Sequence, residues 1–427
     1  MTVRKDPPAV VAGLDETFAN DPYPLYARLR RDAPVYRTPL PDGSTAWLVT
    51  RYADVRAALA DTRLSKDAQT AERARATRPS PGAAAAKDGE AASLLGAHML
   101  SVDPPEHTRL RKLVNTAFTT RQVERLRATI QETADALLDV IAPLGEADLI
   151  EAFALPLPVT VICELLGFVP EDSEQVRSLL TAMIAPEGGD EASRAAKELA
   201  GHLLQRIADK RRHPGDDLLS ELVRVHTGDA DRLSEAELVS MALILLEAGH
   251  ETTVNLIGNG TLALLLHPDQ MALLRSDPAR LAAAIEELLR YESPLTIATP
   301  RFTVEETEIG GVQIPAGELV LAAIGSADRD PERFADPDRL DITRDHCGHL
   351  AFGHGIHYCV GAPLARLEGE IAFATLLRRL PGLRLAVPLD RVRWRPPCVN
   401  LRGLAELPVR FTPQPRAGAC APPDGRQ

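Results

Sequence analysis

The residue types best suited to chemistry lie in one glycine-rich stretch near the C-terminal end, Phe352-Gly353-His354-Gly355-Ile356-His357-Tyr358-Cys359-Val360-Gly361. Three glycines in ten residues predict a loop rather than a helix or a strand. Pro363 and the apolar spacing after it predict a helix that begins just beyond Cys359. Backbone N–H groups and the positive end of the helix dipole should stabilise a Cys359 thiolate there, lower its pKa and make it a metal ligand.

Two other interpretations of this stretch have to be weighed. Cys359 can be a buried structural cysteine beside a tight turn. A run of histidines and cysteines can instead bind zinc, and this run comprises His346, Cys347, His349, His354, His357 and Cys359. A structural zinc site needs four ligands in paired spacings, however, and Cys347 lies twelve residues before Cys359. The spacing therefore disfavours zinc.

A long helix is predicted over residues 235–266. Ser234 and Glu237 form a capping-box pattern at its start, and the dipeptide His267-Pro268 ends it. Such a helix is about 48 Å long, because an α-helix rises 1.5 Å per residue. It must therefore cross the whole molecule.

The middle of this predicted helix carries the sequence Ala248-Gly249-His250-Glu251-Thr252-Thr253. Glycine and threonine are poor helix formers, so their presence in a helix interior needs a reason. The Thr252 hydroxyl can donate a hydrogen bond to the carbonyl oxygen of Ala248 and bend the helix. The alternative is ordinary helix packing, with Gly249 admitting a close neighbour.

A second helix start is predicted just before His107. Asp103 can be the N-cap, the two prolines after it fill the first turn, and Glu106 is the capping-box partner. His107 and Arg111 are four residues apart and therefore share one helix face. For an isolated pair, the alternative is a solvated basic face.

Other segments predict smaller features of the fold. Residues 295–322 alternate turns with β-rich runs, which predicts a small antiparallel sheet, and residues 46–50 predict a further strand. Residues 66–95 are rich in Ala, Lys, Glu and Pro without a hydrophobic pattern, so we expect a mobile insertion there. Most of the remaining chain predicts helices.

The patterns Phe-Gly-x-Gly-x-His-x-Cys-x-Gly and Ala-Gly-x-Glu-Thr together resemble those of the cytochrome P-450 family. The resemblance extends from about residue 20 to residue 411 and is nearest to soluble actinobacterial forms that tailor macrolides and other secondary metabolites. It implies the mainly α-helical cytochrome P-450 fold with a small β-rich region. In that fold, haem lies between helix 235–266 and the Cys359 loop. Residues 1–411 are predicted to form a single haem-thiolate monooxygenase domain, and residues 412–427 a disordered tail.

The resemblance implies roles for individual residues. Cys359 would be the axial thiolate ligand of the iron of haem b. The further residues that would bind the cofactor are His107, Arg111, Arg301, His357, Phe352, Gly353, Ala248 and Gly249. The two histidines and two arginines among them would contact the haem propionates, since the planar guanidinium group pairs well with carboxylates. For His357, a simple loop hydrogen bond is the alternative.

Two residues of the helical motif would serve the reaction itself. On the resemblance, Thr252 would hold a water molecule by hydrogen bonding. Glu251, as the neighbouring acid, would belong to the route that delivers protons. These are the two catalytic residues that the sequence predicts.

A further set of residues would stabilise the fold around the haem. Glu287 and Arg290 lie three residues apart on one helix face and resemble the Glu-x-x-Arg motif of the family. We predict Arg339 as the third member of this set, with Arg333 as the competing choice.

The implied activity is that of a haem-dependent monooxygenase. It would insert one oxygen atom from O2 into an apolar small molecule by C–H hydroxylation or epoxidation, in macrolide or polyketide biosynthesis. The alternatives are a terpenoid, steroid or fatty-acid hydroxylase, an H2O2-driven peroxygenase, a non-catalytic haem or ligand-binding protein, and a metal-free helical scaffold.

Composition limits the partners of this 427-residue chain. A net charge of −12 argues against nucleic acid and anionic membranes as partners of the whole surface. Five scattered cysteines form no visible disulfide framework and no signal peptide or membrane anchor is evident, so a cytoplasmic location is predicted. We also expect the protein to be a monomer. Because the sequence carries no flavin or iron–sulfur segment, electrons should come from a separate ferredoxin and ferredoxin reductase. We predict a basic ferredoxin dock formed by Arg109, Lys112 and Arg366.

Overall fold

The structure is a computed structural model that describes residues 18, 20–40, 43–76, 96–169, 172–184, 191–226, 233–344, 348–395 and 400–415. Its α-helices within these residues are α1 (Tyr23–Asp32), α2 (Tyr52–Ala60), α3 (Ala68–Ala76), α4 (Glu106–Ala117), α5 (Thr120–Arg125), α6 (Arg127–Ile141), α7 (Pro156–Leu165), α8 (Ser173–Ile184), α9 (Glu191–Arg212), α10 (Leu218–His226), α11 (Glu235–Leu266), α12 (Pro268–Ser276), α13 (Leu281–Tyr291), α14 (Ile324–Ala327) and α15 (Ala362–Arg379). A π-helix (Ile150–Ala154) precedes α7. The fold is mainly α-helical, as the sequence predicts.

Short strands form three small sheets. The strands are β1 (Val35–Pro39), β2 (Thr45–Val49), β3 (Leu64–Ser65), β4 (Glu146–Asp148), β5 (Arg301–Thr303), β6 (Thr307–Ile309), β7 (Val312–Ile314), β8 (Leu319–Ala322), β9 (Arg384–Leu385) and β10 (Pro408–Arg410). The largest sheet has the order β1-β2-β8-β5-β3, the second has the order β4-β10-β9, and β6 pairs with β7. The strand predicted over residues 46–50 is confirmed as β2.

The sheet predicted over residues 295–322 is antiparallel only in part. Strands β5 and β8 pair antiparallel, and so do β6 and β7. Strand β8, however, also pairs in parallel with β2, so that Ala46 lies opposite Leu319 and Val49 opposite Ala322. The sequence could not indicate this pairing, because the two strands lie far apart along the chain.

Helix α11 is the long helix that the sequence predicts, and its bounds match the prediction. The Ser234 hydroxyl accepts from the backbone N–H of Glu237, while the Glu237 carboxylate accepts from the backbone N–H of Ser234. The helix ends at Leu266 with His267 as its C-cap, and Pro268 opens the next helix. Helices α7, α9, α13 and α15 pack against α11. None of the helices in the described ranges is long and apolar enough to cross a membrane.

Two local predictions differ from the structure. Helix α4 begins at Glu106 without a side-chain cap. The Asp103 carboxylate instead accepts from the backbone N–H of Lys66 at 3.0 Å and from the Ser65 hydroxyl, because those groups approach it from strand β3 and the residue after it. Part of the predicted mobile insertion forms helix α3.

The ordered chain also continues past residue 411. The backbone N–H of Thr412 donates to Pro381, and that of Gln414 donates to Ala142. Thr412 and Gln414 of the predicted tail are therefore hydrogen-bonded to the fold, while residues 416–427 lie outside the described part of the chain.

Candidate active site

The Cys359 loop is held by backbone geometry that requires glycine. Gly353 and Gly355 have φ values of 75° and 77°, a region that side chains disfavour. A Cβ on Gly355 would also lie 2.9 Å from the carbonyl oxygen of Leu59. The backbone N–H of Cys359 donates to the carbonyl oxygen of Phe352 at 2.9 Å, which closes the loop. The predicted helix follows as α15, three residues after Cys359.

Burial determines the state of the free thiol. It raises the pKa of Cys359, while the N–H groups of Gly361 and Ala362 and the charges of Arg111 and Arg366 act in the opposite direction. The prediction of a lowered thiol pKa is therefore wrong for the cofactor-free protein, since desolvation outweighs the helix N-terminus. A metal ion bound to this sulfur would displace the proton, because the thiolate is the form that binds metals.

Six basic side chains gather on the same side of the molecule, and we call them the basic cluster. They are Lys66, His98, His107, Arg111, Arg301 and His357. The His107 and His357 rings lie 4.3 Å apart between centroids. The positive charges of Lys66, Arg301 and Arg111 all act on His357. The structure therefore brings together the four residues predicted to bind the haem propionates.

No member of the basic cluster forms an ion pair with a described residue, although the charge of Asp103 acts on Lys66, Arg301 and His107. Both ring nitrogens of His107 are buried without a hydrogen-bond partner. Arg301 is 4% exposed and donates to the carbonyl oxygen of Thr299, an uncharged acceptor. Arg111 forms no ion pair with any residue that the structure describes. Buried cations are normally paired, so this arrangement fits a ligand that carries carboxylates.

The pKa values of the cluster also show that its positive charges are buried without paired carboxylates. Burial, together with the charge of Arg301, lowers the pKa of Lys66 to about 7. Burial lowers the pKa of Arg301 to about 10 and that of His98 to about 4. The two propionates of haem would supply the missing negative charge. Together with the buried Cys359 sulfur, the residues present fit a haem cofactor.

Sequence reasoning missed two members of this cluster, Lys66 and His98. Lys66 donates to the Thr299 hydroxyl at 2.6 Å and to the carbonyl oxygen of Pro300 at 2.9 Å. His98 accepts from the backbone N–H of Leu100. Neither residue belongs to a spaced motif, and residue 66 falls in the segment interpreted as a mobile insertion, so no local signal pointed to them.

The middle of α11 carries residues that the neighbouring elements leave partly uncovered. Along this helix the residues from Leu238 to Leu264 are buried except at five positions, which we call the central opening: Ile244, Glu247, Ala248, Gly249 and Thr252. Three of the five are residues that the sequence predicts for cofactor binding or catalysis. Because α15 follows Cys359 and packs along α11, the two motifs lie on neighbouring elements.

The catalytic pair of the helical motif divides between two sides of the helix. The Thr252 hydroxyl donates to the carbonyl oxygen of Ala248 at 2.8 Å, as predicted, and the side chain lies in the central opening. Glu251 is buried and forms an ion pair with Arg395, which is partly exposed. Arg395 comes from the C-terminal region, and no sequence pattern linked it to Glu251.

Gly249 has a packing role that the structure makes visible. A Cβ at this position would lie 2.9 Å from Cδ1 of Ile162 on helix α7. The structural alternative for this glycine is therefore confirmed, while its contact with a cofactor stays a prediction.

The Glu287 motif forms a buried ion-pair network, but its third member is Arg344. Glu287 and Arg290 form two hydrogen bonds of 2.7 and 2.8 Å, and both side chains are almost inaccessible. Nε of Arg344 lies 3.3 Å from the Glu287 carboxylate. The prediction of Arg339 is wrong, since its side chain is 64% exposed and its backbone carbonyl is what contacts Arg290. The competing choice, Arg333, lies over Tyr52 and Phe334 instead.

A second ion pair supports the Cys359 loop from the outside. Arg366 on α15 donates to Glu286 at 2.6 and 3.0 Å, and its guanidinium lies 4.5 Å from the centroid of Phe352. His349 also contacts Glu286 at 3.1 Å. Within the described residues, no three His, Cys, Asp or Glu side chains are placed to hold a metal ion. His346 and Cys347 of the zinc alternative lie outside these residues.

Comparisons with known proteins agree with this site. A profile described as Cytochrome P450 matches residues 175–382. Cytochrome P450 monooxygenase PikC of Streptomyces venezuelae is 50% identical over 415 residues, which cover 96% of each protein. Vitamin D(3) 25-hydroxylase of Pseudonocardia autotrophica is 46% identical over 93% of this chain and 96% of that protein. Among solved structures, cytochrome P450 PksS of the Bacillus subtilis 168 bacillaene polyketide synthase has a TM-score of 0.86 at 40% identity, over 94% of this chain and 100% of that one.

Proposed function

Because the chain belongs to the cytochrome P450 family and is a haem-dependent monooxygenase, we propose that its substrate is an apolar macrolide or polyketide, which it hydroxylates or epoxidises. The observation that carries this proposal is the central opening beside Thr252, in an otherwise buried helix. The printed name of PksS supports a polyketide substrate. The alternative is a terpenoid, steroid or fatty-acid substrate, since the similar Vitamin D(3) 25-hydroxylase is named for a substrate that is not a polyketide.

We propose that this chain holds haem from two sides. Cys359 would provide the thiolate, and the basic cluster would pair with the propionates. The glycines of the loop allow the backbone to approach the macrocycle. When bound, the haem iron supplies the activation of O2, so that one oxygen atom enters the substrate and the other becomes water with two electrons and two protons.

In this proposal Thr252 and Glu251 manage those protons. The Thr252 hydroxyl holds a water molecule in the central opening by exchanging its hydrogen bond to Ala248. Arg395 holds the buried Glu251 carboxylate in an ion pair, and because Arg395 is partly exposed, this carboxylate lies close enough to solvent to take up a proton from water. A carboxylate that alternates between these two sides is suited to general acid–base work.

We propose a separate ferredoxin and its reductase as the electron source, and a monomeric enzyme in the cytoplasm. The predicted dock changes in detail. Arg109 is paired with Glu106 and Glu237, and Arg366 with Glu286. Exposed Lys112 then contributes most to attracting an acidic partner.

Replacing Thr252 with Ala tests the proposed function. The product formed per NAD(P)H should fall about tenfold, and H2O2 release should rise, because protons are no longer placed correctly. Thr253→Ala is the matched control, since the Thr253 side chain lies 3.4 Å from the carbonyl oxygen of Gly249 outside the central opening. In this control, the product formed per NAD(P)H should change little. Product yield and H2O2 are measured with a purified ferredoxin system.

The peroxygenase alternative predicts a different pattern. Turnover of the wild-type protein would then depend on added H2O2 and not on NAD(P)H with ferredoxin. If Thr252→Ala forms as much product per NAD(P)H as the wild type, the assignment of Thr252 is contradicted.

A further inference from the structure

Glu247 is an ionisable residue for which the reaction described above has no use. It belongs to the central opening and is exposed there, although Leu246 before it and His250 after it are buried. It lies one turn before Glu251 on α11. Glu247 neighbours Ile244 on the helix surface that continues through Ala248 to Thr252, so its carboxylate belongs to the same opening as theirs. Burial by the surrounding protein raises the pKa of Glu247.

The Glu247 carboxylate has no hydrogen bond or ion pair with any side chain among the described residues. Other glutamates of the same helix are all paired. Glu235 lies near Arg211, Glu237 pairs with Arg109, and Glu251 pairs with Arg395. A carboxylate without a partner in the central opening weakens the binding of a purely apolar ligand, since that ligand removes water from the carboxylate and offers no hydrogen bond in return.

We propose that Glu247 recognises a protonated aliphatic amine on the substrate, so that the enzyme acts on largely apolar molecules that carry one basic group. This inference rests on the proposed function and specifies its substrate class. Such an amine places one positive charge beside Glu247 and leaves its apolar body beside Ile244 and Ala248. The opening then holds a neutral pair instead of an isolated anion.

An ammonium group fits this position better than a hydroxyl group. Hydrogen bonds between two charged groups are about twice as strong as neutral ones. A hydroxyl group would leave the negative charge of Glu247 uncompensated in the central opening. The two carboxylates in the middle of α11 also become distinct in function, because Arg395 pairs with Glu251 and not with Glu247.

Three ligands of one shape test the inference on the ferric holoprotein. They are N,N-dimethyloctylamine, the hydrocarbon in which an isopropyl end replaces its dimethylamino end, and the matching tertiary alcohol. Dissociation constants are measured by calorimetry for the wild type, Glu247→Gln and Glu235→Gln. Glu235→Gln is the matched control at the start of the same helix. The carbon monoxide spectrum of each reduced protein checks that its haem site is intact.

The wild type and Glu235→Gln should bind the amine about tenfold or more tightly than the hydrocarbon, as expected for a charged hydrogen bond. In Glu247→Gln the two ligands should bind within about threefold of each other. Equal binding in the wild type overturns the inference, and so does a preference that persists in Glu247→Gln. The inference is also overturned if the tertiary alcohol binds more tightly than the hydrocarbon by the same factor as the amine does, because Glu247 would then recognise hydrogen-bond donors rather than cations.

The same ligands separate this inference from the proposed function. Oxygenated products of the hydrocarbon, formed with ferredoxin and NAD(P)H, report monooxygenase activity regardless of Glu247. If those products form without an amine preference, the inference fails alone. If the amine preference is present and no ligand is oxygenated under any condition, the substrate assignment of the proposed function fails instead.

Discussion

Two clusters of buried charge in this molecule are built in opposite ways. The network around Glu287 is complete, because Arg290 and Arg344 both contact its carboxylate. The remaining guanidinium donors of Arg290 reach the backbone carbonyls of Asp328 and Pro337 at 2.8 Å. The basic cluster near Cys359 holds more basic residues, six against two, yet Asp103, the carboxylate that acts on it, already accepts from Ser65 and the backbone of Lys66.

The difference separates a part of the fold from a site for a ligand. A buried ion pair that satisfies itself contributes to holding its elements together and needs nothing further. A group of buried cations without anions lowers the stability of the protein alone and stabilises a complex with a dianion. The first cluster therefore belongs to the scaffold, and we propose that the second binds the haem.

Replacing Arg290 with Ala should have the largest effect, because it leaves the buried Glu287 carboxylate without its main partner. The free energy of unfolding should fall by about 3–5 kcal/mol, as is typical when one member of a buried pair is removed. Urea denaturation followed by circular dichroism measures it. The control, Arg339→Ala, removes an exposed side chain and should cost less than about 0.5 kcal/mol. A similar loss in both variants would contradict the assignment of Arg344 to the network.

Replacing Arg301 with Met should act in the opposite sense. The free energy of unfolding of the cofactor-free protein should stay unchanged or rise, since a buried cation without a carboxylate partner is removed. Haem affinity should fall about tenfold or more, because one charged hydrogen bond to a propionate is lost. Transfer of haem to an excess of a haem-free acceptor protein gives the affinity. A large loss of stability in the cofactor-free variant would mean that Arg301 belongs to the scaffold.

The smallest effect is a pH dependence that comes from Lys66. Its pKa is about 7 in the cofactor-free protein and ordinarily 10.5, and propionates would raise it again. Haem binding therefore takes up a proton at Lys66 above pH 7, so this contribution to affinity weakens as the pH rises. The ratio of wild-type to Lys66→Gln haem affinity should be about tenfold larger at pH 7 than at pH 9. Because Cys359 titrates in both proteins, the ratio isolates Lys66, and a constant ratio would exclude it from the cofactor site.

Features encoded in a short segment could be predicted from the sequence. The capping box at Ser234 and the hydrogen bond from Thr252 to Ala248 join residues three or four positions apart. The same holds for the bidentate pair of Glu287 and Arg290. In each case the helix period alone fixes the geometry, so residue type and spacing suffice.

Features that join distant segments could not be predicted in the same way. Arg395 reaches Glu251 across 144 positions of sequence. The prediction of Arg339, with Arg333 as the competing choice, missed Arg344 because all three arginines lie in an irregular segment, where spacing does not fix the direction of a side chain. The pKa of Cys359 was predicted from its helix N-terminus alone, whereas the amount of protein packed around the sulfur decides its direction.

The absorption spectrum of the dithionite-reduced protein under carbon monoxide tests the central claim, that Cys359 binds the haem iron as a thiolate. The wild type should show its Soret maximum at the wavelength that gives the family its name, and Cys359→Ser should lose this band while still folding. A wild-type band at the position typical of histidine or protonated-thiol ligation would contradict the claim. So would a Cys359→Ser protein that keeps the wild-type band.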